Sequence, residues 1–110
     1  MADFDNIFAA IPARLPEELV EVLLATDHVL IERIVSAGHS SPPGFWYEQE
    51  TREWVLLIQG SAQLMFDGDD RPVEMRPGDF IDIPARRRHR VEGTDPSRPT
   101  IWLAIHVRDE

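Results

Sequence analysis

The residue types with chemistry to offer here are four histidines, a single tyrosine and twenty carboxylates, in a chain with no cysteine. The missing cysteine removes a thiolate zinc site, an iron–sulfur cluster, a disulfide framework and a cysteine nucleophile together. Ser36, Ser40, Ser41, Ser61 and Ser97 have no nucleophile-elbow context, and neither a Walker loop nor a GxGxxG fingerprint occurs. What remains is acid–base or metal chemistry by imidazole and carboxylate. Two stretches concentrate these groups: Trp46-Tyr47-Glu48-Gln49-Glu50 running to Glu53, and His89 inside the run Arg86-Arg87-Arg88-His89-Arg90. His106 lies on the final apolar run. Alternation puts it on one face with Trp102 and Ala104, opposite Leu103 and Ile105. His28 and His39 sit where surface or turn residues are expected. Glu50 and Arg52 read as parts of a solvated loop.

These groups need a scaffold, and most of the chain has the period of strands. Residues 16–25, PEELVEVLLA, are the exception. Leu19, Val20, Leu23 and Leu24 form a stripe at helical spacing, Pro16 suits a first helical position, and Glu17 and Glu18 suit the positive end of a helix dipole. A helical segment is therefore predicted within residues 1–26, with Ile7, Phe8 and Ile11 packing beside it as a short turn or helix. From Asp27 the runs are rich in β-branched residues: 28–35, 54–58, 62–66, 80–83 and 101–107. Between them stand GHSSPPG at 38–44, the hairpin signal Asp67-Gly68-Asp69-Asp70, and Arg76-Pro77-Gly78-Asp79, which fits a type II turn. Turn signals recur about every 8 to 12 residues, the spacing of an all-β sandwich or barrel. The run 101–107 is apolar on both faces and reads as a buried strand.

With 110 residues, 43% of them hydrophobic and 28% charged, the chain has the size and composition of one globular domain. Its formal net charge of −9 repels phosphate backbones and anionic lipid, so neither a nucleic acid nor a membrane is an expected partner. The short arginine run does not change this, because alternation turns Arg88 and Arg90 away from His89 toward acidic neighbours such as Glu92. Arg86 or Arg87, in the turn, can reach for a substrate carboxylate. No apolar run approaches the roughly 20 residues that span a bilayer, and the first ten residues lack a basic region before an apolar one. The expected compartment is the cytoplasm.

Two segments together resemble the cupin superfamily of small jelly-roll barrels. In one, Gly78 is followed after five residues by Pro84, Arg86 stands at a position the family gives to Gly, His89 at its His, and Gly93 at its Asn. In the other, six residues separate Glu53 from Gly60, as in the first cupin motif. The resemblance covers about residues 28–107. It implies an all-β fold, a cupin jelly-roll barrel over 27–108 behind a short N-terminal helical segment, with 1–110 a single domain. It also implies a pocket in the barrel mouth and pairing into a homodimer, which the apolar final strand suits.

Metal-binding cupins carry His-x-His shortly before the Glu. Here the two family spacings put Trp46 and Glu48, or Tyr47 and Gln49, in those places. The resemblance then implies a ligand set of Glu53 and His89 with Glu48 or Gln49. Such an oxygen-rich set suits Mn²⁺ or Fe²⁺, with Zn²⁺ or Ni²⁺ reachable through the imidazole. Tyr47 and His106 are the residues placed for proton transfer. Two classes of function stand open. One is a metal-dependent enzyme acting on a small organic acid or sugar-like compound. The other is a non-catalytic small-molecule-binding or sensing cupin, in which His89 and Glu53 pair without an ion.

Overall fold

The computed structural model describes residues 4–108. Eight strands form two sheets: β1 Leu19–Ala25, β2 Val29–Ser36, β3 Arg52–Gln59, β4 Ala62–Phe66, β5 Val73–Met75, β6 Phe80–Ile83, β7 His89–Thr94 and β8 Thr100–Val107. The larger sheet runs β1-β2-β8-β3-β6 and the smaller β5-β4-β7, all neighbours antiparallel. Val55, Leu57, Ile83 and Trp102 of one sheet meet Ala62, Leu64, Phe66 and Met75 of the other in the core. The period-two pattern decides this. In β3, Glu53, Val55 and Leu57 are buried while Trp54 and Leu56 are only half-buried on the outer face.

No helix occurs among the described residues, so the predicted helix at 16–25 is corrected to strand β1. The same stripe serves both structures, because β1 carries a register irregularity between Val22 and Leu24 that lets two adjacent leucines occur without strict alternation. The free edge of β2 decides the outcome. It supplies β1 with a ladder from Leu19↔Val35 to Ala25↔Leu30, and buried Arg33 fixes the register through Glu21, 2.7 Å from its Nε. The Arg33 guanidinium also donates to the carbonyls of Ile7 (2.9 Å) and Ala9 (2.6 Å), which straps the N-terminal arm over the outer face of the sheet. The barrel thus begins at residue 19 and not at 27.

The two turns that present the motif residues form as expected. Asp79 N–H donates to the Arg76 carbonyl at 2.9 Å around Gly78, whose φ is +95°. Gly60, φ +92°, turns β3 into β4 so tightly that a Cβ there would stand 2.3 Å from Thr100 Oγ1 and 2.7 Å from its Cα. Only glycine fits both the backbone angle and the space.

Candidate active site in the barrel mouth

Glu53 opens β3, His106 ends β8 and Glu32 lies on β2, all on the inner face of the larger sheet. His89 opens β7 in the facing sheet. Tyr47 and Gln49 come from the loop between β2 and β3. That loop is pinned to β7 by reciprocal backbone bonds, Tyr47 N–H to the His89 carbonyl at 2.7 Å and His89 N–H to the Tyr47 carbonyl at 3.1 Å. These side chains and Glu18 line one cavity of about 180 Å³. Its apolar wall is formed by Ile34, Val55, Leu64, Ile83, Val91 and Trp102.

The His89 ring is held on every side. It stacks on Tyr47 with centroids 5.4 Å apart and meets Phe66 at 5.9 Å. Its Nδ1 is 2.8 Å from the Arg87 carbonyl. A carbonyl only accepts, so Nδ1 carries the hydrogen and Nε2 of the neutral ring carries a bare lone pair. That Nε2 faces Glu53 Oε1 at 3.6 Å. Glu53 is nine-tenths buried, yet among the described residues no donor lies within hydrogen-bonding distance of its carboxylate; His106 Nε2 is 3.9 Å from Oε2. His106 Nε2 is instead 3.1 Å from Glu32 Oε1, which makes it a donor to that carboxylate. Gln49 Oε1, on the same cavity, is buried without a hydrogen-bond partner.

Three acceptors therefore border one space without a donor: His89 Nε2, the Glu53 carboxylate and Gln49 Oε1. Buried polar groups cost free energy unless paired, so the arrangement suits a species that brings positive charge or hydrogens. A divalent ion meets that need, and a backbone-anchored Nδ1–H is the support that metal-ligating histidines use. Among the described residues, no three His, Cys, Asp or Glu side chains converge closely enough to hold an ion by themselves. Gln49 lines the same cavity, so a set drawn from these residues would need its amide beside His89 and Glu53.

Tyr47 is half-buried. Its phenol is pushed above the ordinary tyrosine range, chiefly by burial and then by the charges of Glu18 and Glu53. The Tyr47 hydroxyl is thus a proton donor facing carboxylates. The Trp102 indole donates to Ser36 Oγ at 3.1 Å, and Ser36 in turn to Glu18 Oε2 at 2.5 Å.

Of the six residues singled out by sequence, five meet here: Tyr47, Gln49, Glu53, His89 and His106. Glu48 is corrected: its half-exposed side chain points outward beside Arg88, 3.7 Å away, because its neighbours Tyr47 and Gln49 both face the cavity. Arg86 and Arg87 also turn away from the mouth, Arg86 to Glu50 at 3.1 Å and Arg87 to Asp69 and the face of Phe66. Arg88 pairs with Asp67 and Arg90 with Glu92, as alternation requires. Arg52 and Asp82 form a two-pronged pair on the outer face. Trp46 lies under Arg88, 5.4 Å from its guanidinium, outside the cavity. His39 accepts from the Ala37 amide in a local turn. Glu18 and Glu32 are site residues that sequence reading missed. The signal for Glu32 was a carboxylate on an inward position of the run 29–35, which is apolar apart from Glu32 and the outward-facing Arg33.

The sequence matches the cupin domain family over residues 32–106. The chain belongs to the cupin family. It is similar to the crystal structure of a protein from Ralstonia eutropha JMP134, assigned provisionally as a mannose-6-phosphate isomerase. The identity is 45% over 98% of this chain and 100% of that one, with a TM-score of 0.94. A cupin superfamily protein of Desulfitobacterium hafniense DCB-2 is 27% identical over 90% of this chain and 84% of that one, TM-score 0.73. An RmlC-like cupin of Methanocaldococcus jannaschii with a double-stranded β-helix fold shares the fold at 18% identity, covering 90% and 87%, TM-score 0.70. Comparison with curated proteins gives no match.

Proposed function

We propose that this cupin binds a divalent metal ion through His89 Nε2, Glu53 and Gln49 Oε1, and binds or transforms a small organic molecule beside it in the barrel mouth. The observation that carries the reading is the bare, buried Nε2 of His89 aimed at a carboxylate that receives no hydrogen bond. A bound divalent ion polarises a ligand oxygen as a Lewis acid. The rest of the chemistry belongs to the chain. Tyr47 holds its proton and can offer it to a ligand atom. His106 hydrogen-bonds Glu32 and stands 3.9 Å from Glu53, placed to relay a proton between the two carboxylates. Trp102 and the aliphatic wall exclude water from the inner side of the cavity.

The Ralstonia protein is described provisionally as an isomerase of a phosphorylated sugar; among the described residues this cavity has no arginine in its lining to hold a phosphate, so only the proton-shuttling chemistry is carried over, for which Tyr47 and His106 line the same cavity. The non-catalytic alternative keeps the same cavity without the ion. Elemental analysis of protein purified without a metal-affinity column tests the ion directly. Near-stoichiometric metal supports the reading, and metal-free protein that takes up none on dialysis against Mn²⁺, Fe²⁺, Ni²⁺ or Zn²⁺ refutes it.

We propose also that the protein is a homodimer. The outer face of the larger sheet carries Leu56, Leu103 and Ile105 half-buried beside a Trp54–Phe80 pair 5.2 Å apart, and Phe80 is 63% exposed. A second copy covering that face removes the apolar surface from water. A cysteine-free chain suits the cytoplasm.

A further inference from the structure

The cavity has a charge character that restricts what can enter it. Glu18, Glu32 and Glu53 line it, and no arginine does. Lysine is absent from the whole chain. The arginines nearest in sequence to the site residues are committed elsewhere: Arg33 to Glu21, Arg52 to Asp82, Arg86 to Glu50, Arg87 to Asp69, Arg88 to Asp67 and Arg90 to Glu92. Arg108 stands in a neighbouring surface cavity, with the Glu32–His106 pair forming part of the wall between the two. Among the described residues, the groups with hydrogens left to offer the cavity are the Tyr47 hydroxyl and the Gln49 amide; the His106 N–H goes to Glu32 and the His89 Nδ1–H to the Arg87 carbonyl. An anion entering here meets carboxylates across a partly water-excluded space, where like charges repel more strongly than in bulk water. Phosphate recognition in proteins rests on guanidinium, ammonium or a helix N-terminus, and none of these borders the cavity.

We infer that the barrel mouth selects a small aliphatic ammonium compound, an amine or amino alcohol, and rejects phosphorylated and carboxylated ligands. The ammonium lies toward Glu18, which Ser36 holds in place at 2.5 Å, and the aliphatic part lies on Val20, Ile34 and Trp102. Glu18 is not one of the proposed metal ligands, so the ion and the ammonium occupy different parts of one cavity. This inference rests on the preceding reading of the cavity as the working site and is stated for the cavity without the ion; an ion on Glu53 would offset that carboxylate and leave Glu18 and Glu32 to hold the ammonium.

The test uses three probes of one shape and different charge: isobutylamine, isobutanol and isobutyrate, with methyl phosphate as a fourth. Each is titrated into isotopically labelled full-length protein while the amide resonances of Tyr47, Gln49 and His89 and the indole resonance of Trp102 are followed. Isobutylamine should shift these signals with an affinity roughly tenfold above that of isobutyrate, a ratio set by the sign of the charge. Glu18→Gln should weaken the amine and leave isobutanol unchanged. The inference is overturned if isobutyrate or methyl phosphate binds as tightly as the amine, or if the amine leaves the cavity signals in place. A parallel titration with Mn²⁺ reads the metal proposal alone. Broadening without amine binding sinks the inference and keeps the ion; amine binding without broadening does the opposite.

Discussion

At the scale of the residue, the site depends on which lone pairs are left unsatisfied. His89 and Glu53 could be found from spacing because a motif fixes them at strand starts. Glu48 and Gln49 could not be separated, since a loop has no period to say which neighbour faces in. The backbone bridge between Tyr47 and His89 settles it, turning Tyr47 and Gln49 inward and Glu48 out to Arg88. Gln49→Ala should therefore weaken ion binding, and Glu48→Ala should leave it unchanged, measured by calorimetric titration. Tyr47 offers a second check, because it is the only tyrosine and phenolate absorbance reports it alone. Burial, Glu18 and Glu53 all raise its pKa, so phenolate should appear only above the ordinary value of about 10. The sign follows from linkage. A phenol that holds its proton more tightly when folded contributes stability that is complete below the free value and is lost as pH rises through the folded one. Glu18→Gln should bring the titration part of the way back toward the ordinary value; an unchanged titration would contradict the Glu18 contribution and leave burial as the cause.

At the scale of the element, the strands from 28 onward were legible because β-branched runs and turn residues agree with each other. β1 was not, because its apolar spacing is compatible with a helix and the feature that overrides it is tertiary. The edge of β2 and the Arg33–Glu21 pair lie 12 residues away in sequence. Arg33→Met should loosen both β1 and the N-terminal arm, with a loss of about 1 to 3 kcal/mol in denaturant unfolding, since it leaves the carbonyls of Ile7 and Ala9 without their donor while the partly exposed Glu21 turns to water. Turns give a pair of predictions of opposite sign. Gly60→Ala places a Cβ against Thr100 and should cost more than about 1 kcal/mol from the backbone angle alone. Arg86 occupies a left-handed position, φ +65°, where the family motif has glycine, and its pair with Glu50 is solvent-exposed. Arg86→Gly should raise stability by up to about 1 kcal/mol, because the strain relieved exceeds the surface ion pair lost. A destabilised variant would show that the Arg86 side chain matters more than its backbone.

At the scale of the whole molecule, the barrel was readable from turn spacing and motif together, whereas the run 101–107, read as a buried strand, is buried only at Ile101, Trp102 and Ala104. Strand β8 lies at the centre of the larger sheet, with Trp102 and Ala104 in the core and Leu103 and Ile105 on the outer face. That outer face is the proposed dimer contact. Light scattering should give a mass near twice 12.6 kDa, and Phe80→Asp should shift the protein to monomer by placing a charge in the apolar patch. A monomeric wild type at micromolar concentration would remove the dimer from the account.

The central claim is that His89 and Glu53 face each other across a cation site. It is tested most directly by melting wild type, His89→Ala, Glu53→Gln, His28→Ala and His39→Ala with and without Mn²⁺, Fe²⁺, Ni²⁺ and Zn²⁺. At least one ion should raise the wild-type melting temperature, and that rise should persist in the His28 and His39 variants. It should vanish in the His89 and Glu53 variants, whose metal-free stability stays near wild type because the apolar strands make the core. The account is contradicted if no ion moves the wild type while His89→Ala and Glu53→Gln each lose about 1 to 3 kcal/mol, the signature of a structural pair left half-broken.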